Sequence, residues 1–354
     1  MARLLPAFRE KTGAGGYIIR REAWAREERA LKIAVLTSGG VAPGMNAAVR
    51  AAAQAAFSRG WEVVAVEEGY FGLLEGELRP VERSELWGFV QRGGTALGTG
   101  RSSEFEEGEE GKQRAMEALR EAGAEALVLI GGGGSLSGGL ALHELGLPTV
   151  GVPATIDNDI PGTELSIGVD TALNTAVSVI DRIKDTATSH RRAMVVEVLG
   201  RDSGYLAAMS AIAGGGDAVM VPEFETSSED LLELLNESYD KGKPRFTVVA
   251  AEGASPSAEE FRDFVNEAGG AYQADLTVLG HIQSGGSPSA FDRILAARLG
   301  AAAVETLVED AAGTMVGLSG DRIERVPLGR VVGEKRPLDP ELYRLAGVLA
   351  ALPE

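Results

Sequence analysis

Short apolar runs alternate along this chain with longer stretches whose apolar residues recur every third or fourth position. From Lys32 onward the order is strand, Gly-rich turn, helix, repeated. Strands are expected at 33–36, 62–66, 126–130 and 149–153, with an Ala-rich helix over 45–58 and an amphipathic one over 113–121. Runs that are apolar at every position must be covered on both faces, which predicts a parallel sheet between helices. This first series is expected to close at 149–153. A second series starts with a helix over 170–185, where Leu173, Ala176, Val177, Ile180 and Ile183 keep helical spacing. Strands at 194–198, 218–221, 246–250 and 277–279 follow, with helices at 205–213, 231–239, 290–308 and 341–352. The fold expected is α/β: two lobes, each a mainly parallel sheet flanked by helices, with ligands beyond the carboxyl ends of the strands. Residues 1–31 read as an appended arm, with a loop at Gly13-Ala14-Gly15-Gly16 and helical composition over 20–31.

Composition narrows the chemistry. The 34 Lys and Arg stand against 52 Asp and Glu, a net charge of −18 over 354 residues. So acidic a surface argues against nucleic acid or an anionic membrane as partner. It also requires any site for a phosphorylated ligand to be basic against the average field. There is no Cys, so no disulfide framework, thiolate zinc site or thiol nucleophile exists, and only three His argue against a His-rich metal centre. No apolar run approaches the roughly 20 residues that span a bilayer, and the first 31 residues lack the apolar core of a signal peptide. A cytoplasmic location is the expectation.

Three stretches carry candidate chemistry. The run Pro153-Ala154-Thr155-Ile156-Asp157-Asn158-Asp159 ends a strand in a Thr and two carboxylates at i, i+2. Asp157 can take a proton from an attacking hydroxyl, and Asp159 can hold it or help hold a metal. A plain turn explains the same residues equally well, since Asp and Asn crowd turns for backbone reasons. Gly39-Gly40-Val41-Ala42-Pro43-Gly44-Met45-Asn46 and Gly131-Gly132-Gly133-Gly134-Ser135 each lie between a strand and a helix. Glycines there let backbone N–H groups approach a phosphate at a helix N-terminus, though a structural turn uses the same residues.

Taken together and in order, these motifs resemble the phosphofructokinase family from about Lys32 to Arg293. The first turn is similar to the family's GGDAPGMN, with Gly40 and Gly44 kept and Val41 in place of Asp. Gly131 to Ser135 resembles GGDGS, keeping Gly132, Gly134 and Ser135, but Gly133 replaces the Asp that holds Mg²⁺. TIDND resembles the catalytic loop, which implies Thr155, Asp157 as base and Asp159 as the remaining weak metal ligand. Arg101, at the end of Gly93-Gly94-Thr95-Ala96-Leu97-Gly98-Thr99-Gly100, matches an Arg that reaches the transferring phosphates. The pyrophosphate-using branch carries Asp where Gly134 stands and Lys where Ala154 stands, so the resemblance implies ATP, supplied with Mg²⁺ that the protein holds weakly if at all.

On the sugar-phosphate side, Leu199, Gly200 and Arg201 resemble the end of VEVMGR, and Glu252 and His281 match substrate-binding positions. Arg192 and His281 match two members of a cluster that grips the 6-phosphate partly across a subunit boundary; Asp275 and Ser284 stand where two further Arg belong. Arg50, Arg83, Lys184, Asp217, Lys241 and Lys243 match positions around a phosphate-bearing effector at a subunit interface, with Gln54 departing from a usual Arg. The division implied is a nucleotide-binding lobe of 32–168 plus 283–333 and a sugar-phosphate-binding lobe of 169–282 plus 334–354. A homotetramer is implied, and a mixed oligomer stays open. Losing two charge-assisted partners predicts a 6-phosphate grip weakened about 10²–10⁴-fold. Two expectations stand side by side: transfer from Mg-ATP to fructose 6-phosphate or a related sugar phosphate, and a non-catalytic relative that binds a nucleotide or sugar-phosphate effector.

Overall fold

A computed structural model describes residues 30–350, together with a two-residue antiparallel pair, β1 (Glu10–Lys11) with β2 (Tyr17–Ile18). The loop expected at residues 13–16 lies outside the described residues, as do residues 20–29 of the expected helical stretch.

The first lobe starts with β3 (Lys32–Ser38), α1 (Met45–Ser58), β4 (Glu62–Val66), α2 (Gly69–Leu74) and β5 (Leu78–Pro80). It continues through α3 (Ser103–Glu107), α4 (Glu109–Glu121), β6 (Ala126–Gly131), α5 (Gly133–Glu144) and β7 (Thr149–Pro153). The second lobe holds α6 (Val169–His190), β8 (Arg192–Val198), α7 (Tyr205–Gly214), β9 (Ala218–Met220), α8 (Ser228–Asp240), β10 (Phe246–Ala251), α9 (Ala258–Glu267) and β11 (Gln273–Val278). After a 3-10 turn at Gly280–Gln283, α10 (Ala290–Val308), β12 (Thr314–Ser319), β13 (Arg322–Pro327) and α11 (Leu328–Val331) return to the first lobe. The described chain ends in α12 (Pro340–Ala350).

The seven-stranded sheet runs β13-β12-β7-β6-β3-β4-β5, parallel except for its two edge strands; the four-stranded sheet, β11-β8-β10-β9, is parallel throughout. Strand patterning explains the layers. In β6, Ala126, Val128 and Ile130 face one core while Leu127 and Leu129 face another, so every position is buried. In β10, Val249 and Ala251 point to the first of these cores, and Phe246, Val248 and Ala250 to the outer core of the second lobe. The shared core thus runs through α1, α6, α7 and α10, between the two sheets.

The first series does not close at 149–153: β12 pairs in parallel with β7, and β13 turns back antiparallel on β12. Charged Arg322, Glu324 and Arg325 make β13 read as polar surface, which suits an exposed edge strand. No helix among the described residues is long and apolar enough to cross a membrane.

Candidate active site

The carboxyl ends of β3, β6 and β7 face those of β8, β10 and β11 across a cleft of about 990 Å³. On the first lobe, β3 is followed by Gly39, whose φ of 92° suits glycine and whose added Cβ would lie 2.9 Å from Ser135 Oγ. That contact seats the first turn on the second. Gly132 caps α5, so Gly133, Gly134 and Ser135 form its first turn, where backbone N–H groups have no partner within the helix. The dipole adds positive potential at the same end.

The loop that ends in Arg101 is fastened from behind. Thr37 Oγ1 donates to Gly98 O at 2.6 Å, and buried Asn46 donates to the carbonyls of Arg92 and Gly94 while accepting from Ala96 N–H at 2.7 Å. These bonds leave Arg101 exposed at the cleft wall.

The carboxylate turn is equally constrained. Asn158 is buried with a φ of 52°; its side chain accepts from Ser166 N–H and donates to Glu164 O. Asp157, only 14% exposed, lies with Oδ2 3.8 Å from Arg201 Nε. Burial, and after it the neighbouring Asp159, push the Asp157 carboxyl up to about 6, with Arg201 opposing them. Ser203 Oγ donates to Asp157 O at 2.9 Å. Across the cleft, Gly40 faces the Arg201 guanidinium, whose Nη2 would be 3.7 Å from an added Cβ. Arg201, with φ 51°, donates its N–H to Glu252 Oε1 at 2.7 Å, and buried Gln283 Oε1 accepts from Leu199 N–H at 2.8 Å.

Thr155, Asp157, Asp159, Arg101, Gly40, Gly132, Gly134, Ser135, Leu199, Arg201, Glu252 and His281 all line this one cleft. Gly44 and Gly200 do not. An added Cβ would lie 2.7 Å from Ile167 at Gly44 and 2.3 Å from Ser203 O at Gly200, so both serve close packing behind the wall. Arg192 is also apart: it starts β8, six residues or roughly 20 Å of strand before Val198. There it pairs with Asp275 at 2.5 Å, at the same end of the neighbouring β11.

The residues matched to an effector site fall into two groups. Lys184 donates to the carbonyls of Gly214 and Gly215, and Lys243 pairs at 2.5 Å with Asp217, which also accepts from Thr247 N–H. Lys241 caps the end of α8 in the same lobe. Arg50 lies on α1 of the other lobe, and Arg83 there donates to Phe57 O and stacks on the Phe57 ring.

One expectation changes. The cleft is not basic: four Lys and Arg line it against six Asp and Glu, so its pull on anions comes largely from glycine amides and the α5 N-terminus. Its last wall, residues 331–335, had no sequence signal beyond an ordinary charged run. Lys335 there pairs with Asp202, and Arg336 N–H donates to Asp159 O at 2.7 Å. Asn46 ends the first glycine turn and Gln283 lies two residues beyond His281, but their roles depend on partners far along the chain. As for a resident metal, no group of three His, Cys, Asp or Glu among the described residues could hold one, and Gly133 brings no carboxylate.

Comparison with known proteins gives a consistent neighbourhood. The family model described as Phosphofructokinase matches residues 32–307. The ATP-dependent 6-phosphofructokinase of Listeria welshimeri is 47% identical over 319 residues, covering 90% of this chain and 99% of that protein. The protein of the same name from Thermotoga neapolitana is 45% identical over 320 residues, again covering 90% and 99%. The structure of phosphofructokinase from Saccharomyces cerevisiae superposes with a TM-score of 0.80 at 36% identity, covering 90% of this chain but 48% of the yeast chain.

Proposed function

Because this chain belongs to the phosphofructokinase family, we propose that it moves the γ-phosphoryl group of ATP to a hydroxyl of fructose 6-phosphate or a closely related sugar phosphate. The observation that carries this reading is the single cleft where the amides of Gly40, Gly132 and Gly134 and the Arg101 guanidinium meet Asp157, Arg201, Glu252 and His281. In the proposed reaction the acceptor oxygen bonds to the γ-phosphorus as the bond to ADP's bridging oxygen breaks, with the electron pair leaving on ADP. Asp157 takes the hydroxyl proton. Its raised pKa strengthens it as a base yet leaves it ionised near neutral pH. Arg101 and the amides at the start of α5 neutralise charge on the moving group. Nothing lies within 4 Å of a Cβ added at Gly134, which favours a nucleotide over pyrophosphate.

Mg²⁺ enters as part of the nucleotide substrate and supplies charge neutralisation on its phosphates. The chain's donor set fits a resident ion poorly, with Asp159 the carboxylate it would offer. Weak metal handling and a weak 6-phosphate grip are part of the proposal, the latter because Asp275 already neutralises Arg192. Those same two features favour the second reading, a non-catalytic relative that binds a nucleotide or sugar phosphate. In either case the two effector groups would complete one site only across subunits of an oligomer, since a single chain holds them on different lobes.

A coupled assay with ATP, Mg²⁺ and fructose 6-phosphate tests the choice. Turnover supports transfer; ATP binding without turnover supports the second reading.

A further inference from the structure

Residues 331–336 cross from α11 toward the carboxylate turn and are tied to it by three hydrogen bonds. Arg336 N–H donates to Asp159 O at 2.7 Å, and its guanidinium donates to Thr163 O at 2.9 Å and Glu164 O at 2.6 Å. This anchorage fixes the position of Lys335, one residue earlier, on the cleft wall beside Asp157 and Asp159. Its side chain is 62% exposed, and its ammonium pairs with an Asp202 carboxylate that is 76% exposed. So exposed a pair contributes little to stability. The neighbouring Asp202, and then Asp159 and Asp157, hold the lysine's pKa above its ordinary value, so it is charged at any working pH.

We propose that Lys335 is a phosphate-binding residue of the transfer step, exchanging Asp202 for the oxygens of the phosphoryl group that passes to the acceptor held at Asp157. This rests on the phosphotransferase reading above. The chemistry favours it on two grounds. The cleft holds more carboxylates than Lys and Arg, and among the described residues no carboxylate cluster could fix a metal, so each cation on its wall matters to a group that carries several negative charges. A lysine ammonium is a compact charge with three donors on a flexible stem, suited to leave one carboxylate and follow a moving phosphate. Asp202, in this arrangement, is a competitor for the ammonium and a repulsive neighbour for the nucleotide.

The consequence is a pair of opposite effects, which an ordinary surface ion pair does not produce. Lys335→Met is expected to lower kcat about 10- to 100-fold, the loss of one charge-assisted contact, with the KM for the sugar within about threefold of native. Lys335→Arg keeps the charge and restores most of the rate. Asp202→Asn lowers the KM for ATP about two- to tenfold. Steady-state kinetics on the full chain reads all three, and equal effects of Lys335→Met and Asp202→Asn, or values within twofold of native for both, overturn the assignment. Absence of turnover in the native chain would overturn only the transferase reading. Calorimetric titration with ATP then decides the present one: weaker binding in Lys335→Met with tighter binding in Asp202→Asn supports it, and unchanged or parallel shifts reject it.

Discussion

Asp157 shows how a buried carboxylate trades stability for chemistry. Its pKa of about 6, against about 3.9 for an ordinary Asp, means that between these values the native state holds a proton the unfolded chain has released. Stability therefore falls as pH rises through that window and stays lower above it. Asp157→Asn removes the buried charge, so urea unfolding at pH 8 should show a gain of about 1–3 kcal/mol. The same variant should lose about 10²–10⁴ in kcat, and the ascending limb of kcat/KM near pH 6 should vanish with it. At Gly133 an added Cβ meets nothing within 4 Å, so Gly133→Asp with Val41→Asp is tolerated by the fold. Turnover should rise and saturate at lower Mg²⁺ if metal handling limits the rate; an unchanged Mg²⁺ titration places the defect in the sugar pocket. The residue types and spacing of Thr155, Asp157 and Asp159 were legible in sequence. What shapes them was not, because Ser203 meets Asp157 across 46 positions and Arg336 N–H reaches Asp159 O from beyond α11. Such contacts exist only once the sheets have formed.

Among the elements, β3, β6 and β10 were legible because alternate residues enter two different cores and the whole run is apolar. β13 was not, because an edge strand with a solvated face carries charge at most positions. β12 was missed as well, although Met315 enters one core and Val316 and Leu318 the other, because Gly317 interrupts its short apolar run. The α1–α10 contact was not legible, since the Ala-rich stretch 45–58 was read as a helix without a partner. Gly300 lets the helices approach so closely that an added Cβ would lie 2.6 Å from Ala48 O and 2.8 Å from Ala51 Cβ. Helix propensity alone favours Ala over Gly by up to about 1 kcal/mol. Here the backbone of α1 blocks the methyl, and overpacking of this kind costs about 1–3 kcal/mol. Gly300→Ala should therefore lower the thermal midpoint, whereas a rise would show that α1 and α10 separate without penalty.

For the whole molecule, the core that runs through α1, α6, α7 and α10 joins both sheets, so the lobes share one set of buried contacts rather than meeting as independent bodies. That arrangement holds the cleft walls in register and predicts that lobes unfold together. It leaves the residues matched to an effector site in two groups, Arg50 and Arg83 with the seven-stranded sheet, Lys184, Asp217, Lys241 and Lys243 with the four-stranded one. The resemblance placed these residues around one ligand at a subunit interface, and the fold puts them on two different lobes of one chain. In the second half, burial lowers the pKa of Lys184, and Asp217 offsets the charge of Lys243. An anion arriving there competes with Asp217 but gains two ammonium groups already directed by backbone carbonyls and a carboxylate. Lys241→Ala with Lys243→Ala should weaken ADP binding about 10-fold or more in the assembled protein, the loss of charge-assisted contacts. Because the other half belongs to a neighbouring subunit in this proposal, Arg50→Ala should have a comparable effect despite lying on the other lobe. Mixing the two variants should restore binding at those interfaces where an intact half from each meets. Titration curves that match the native protein in all three samples would remove the shared site, and weakening by the lysine variant alone would confine it to one lobe.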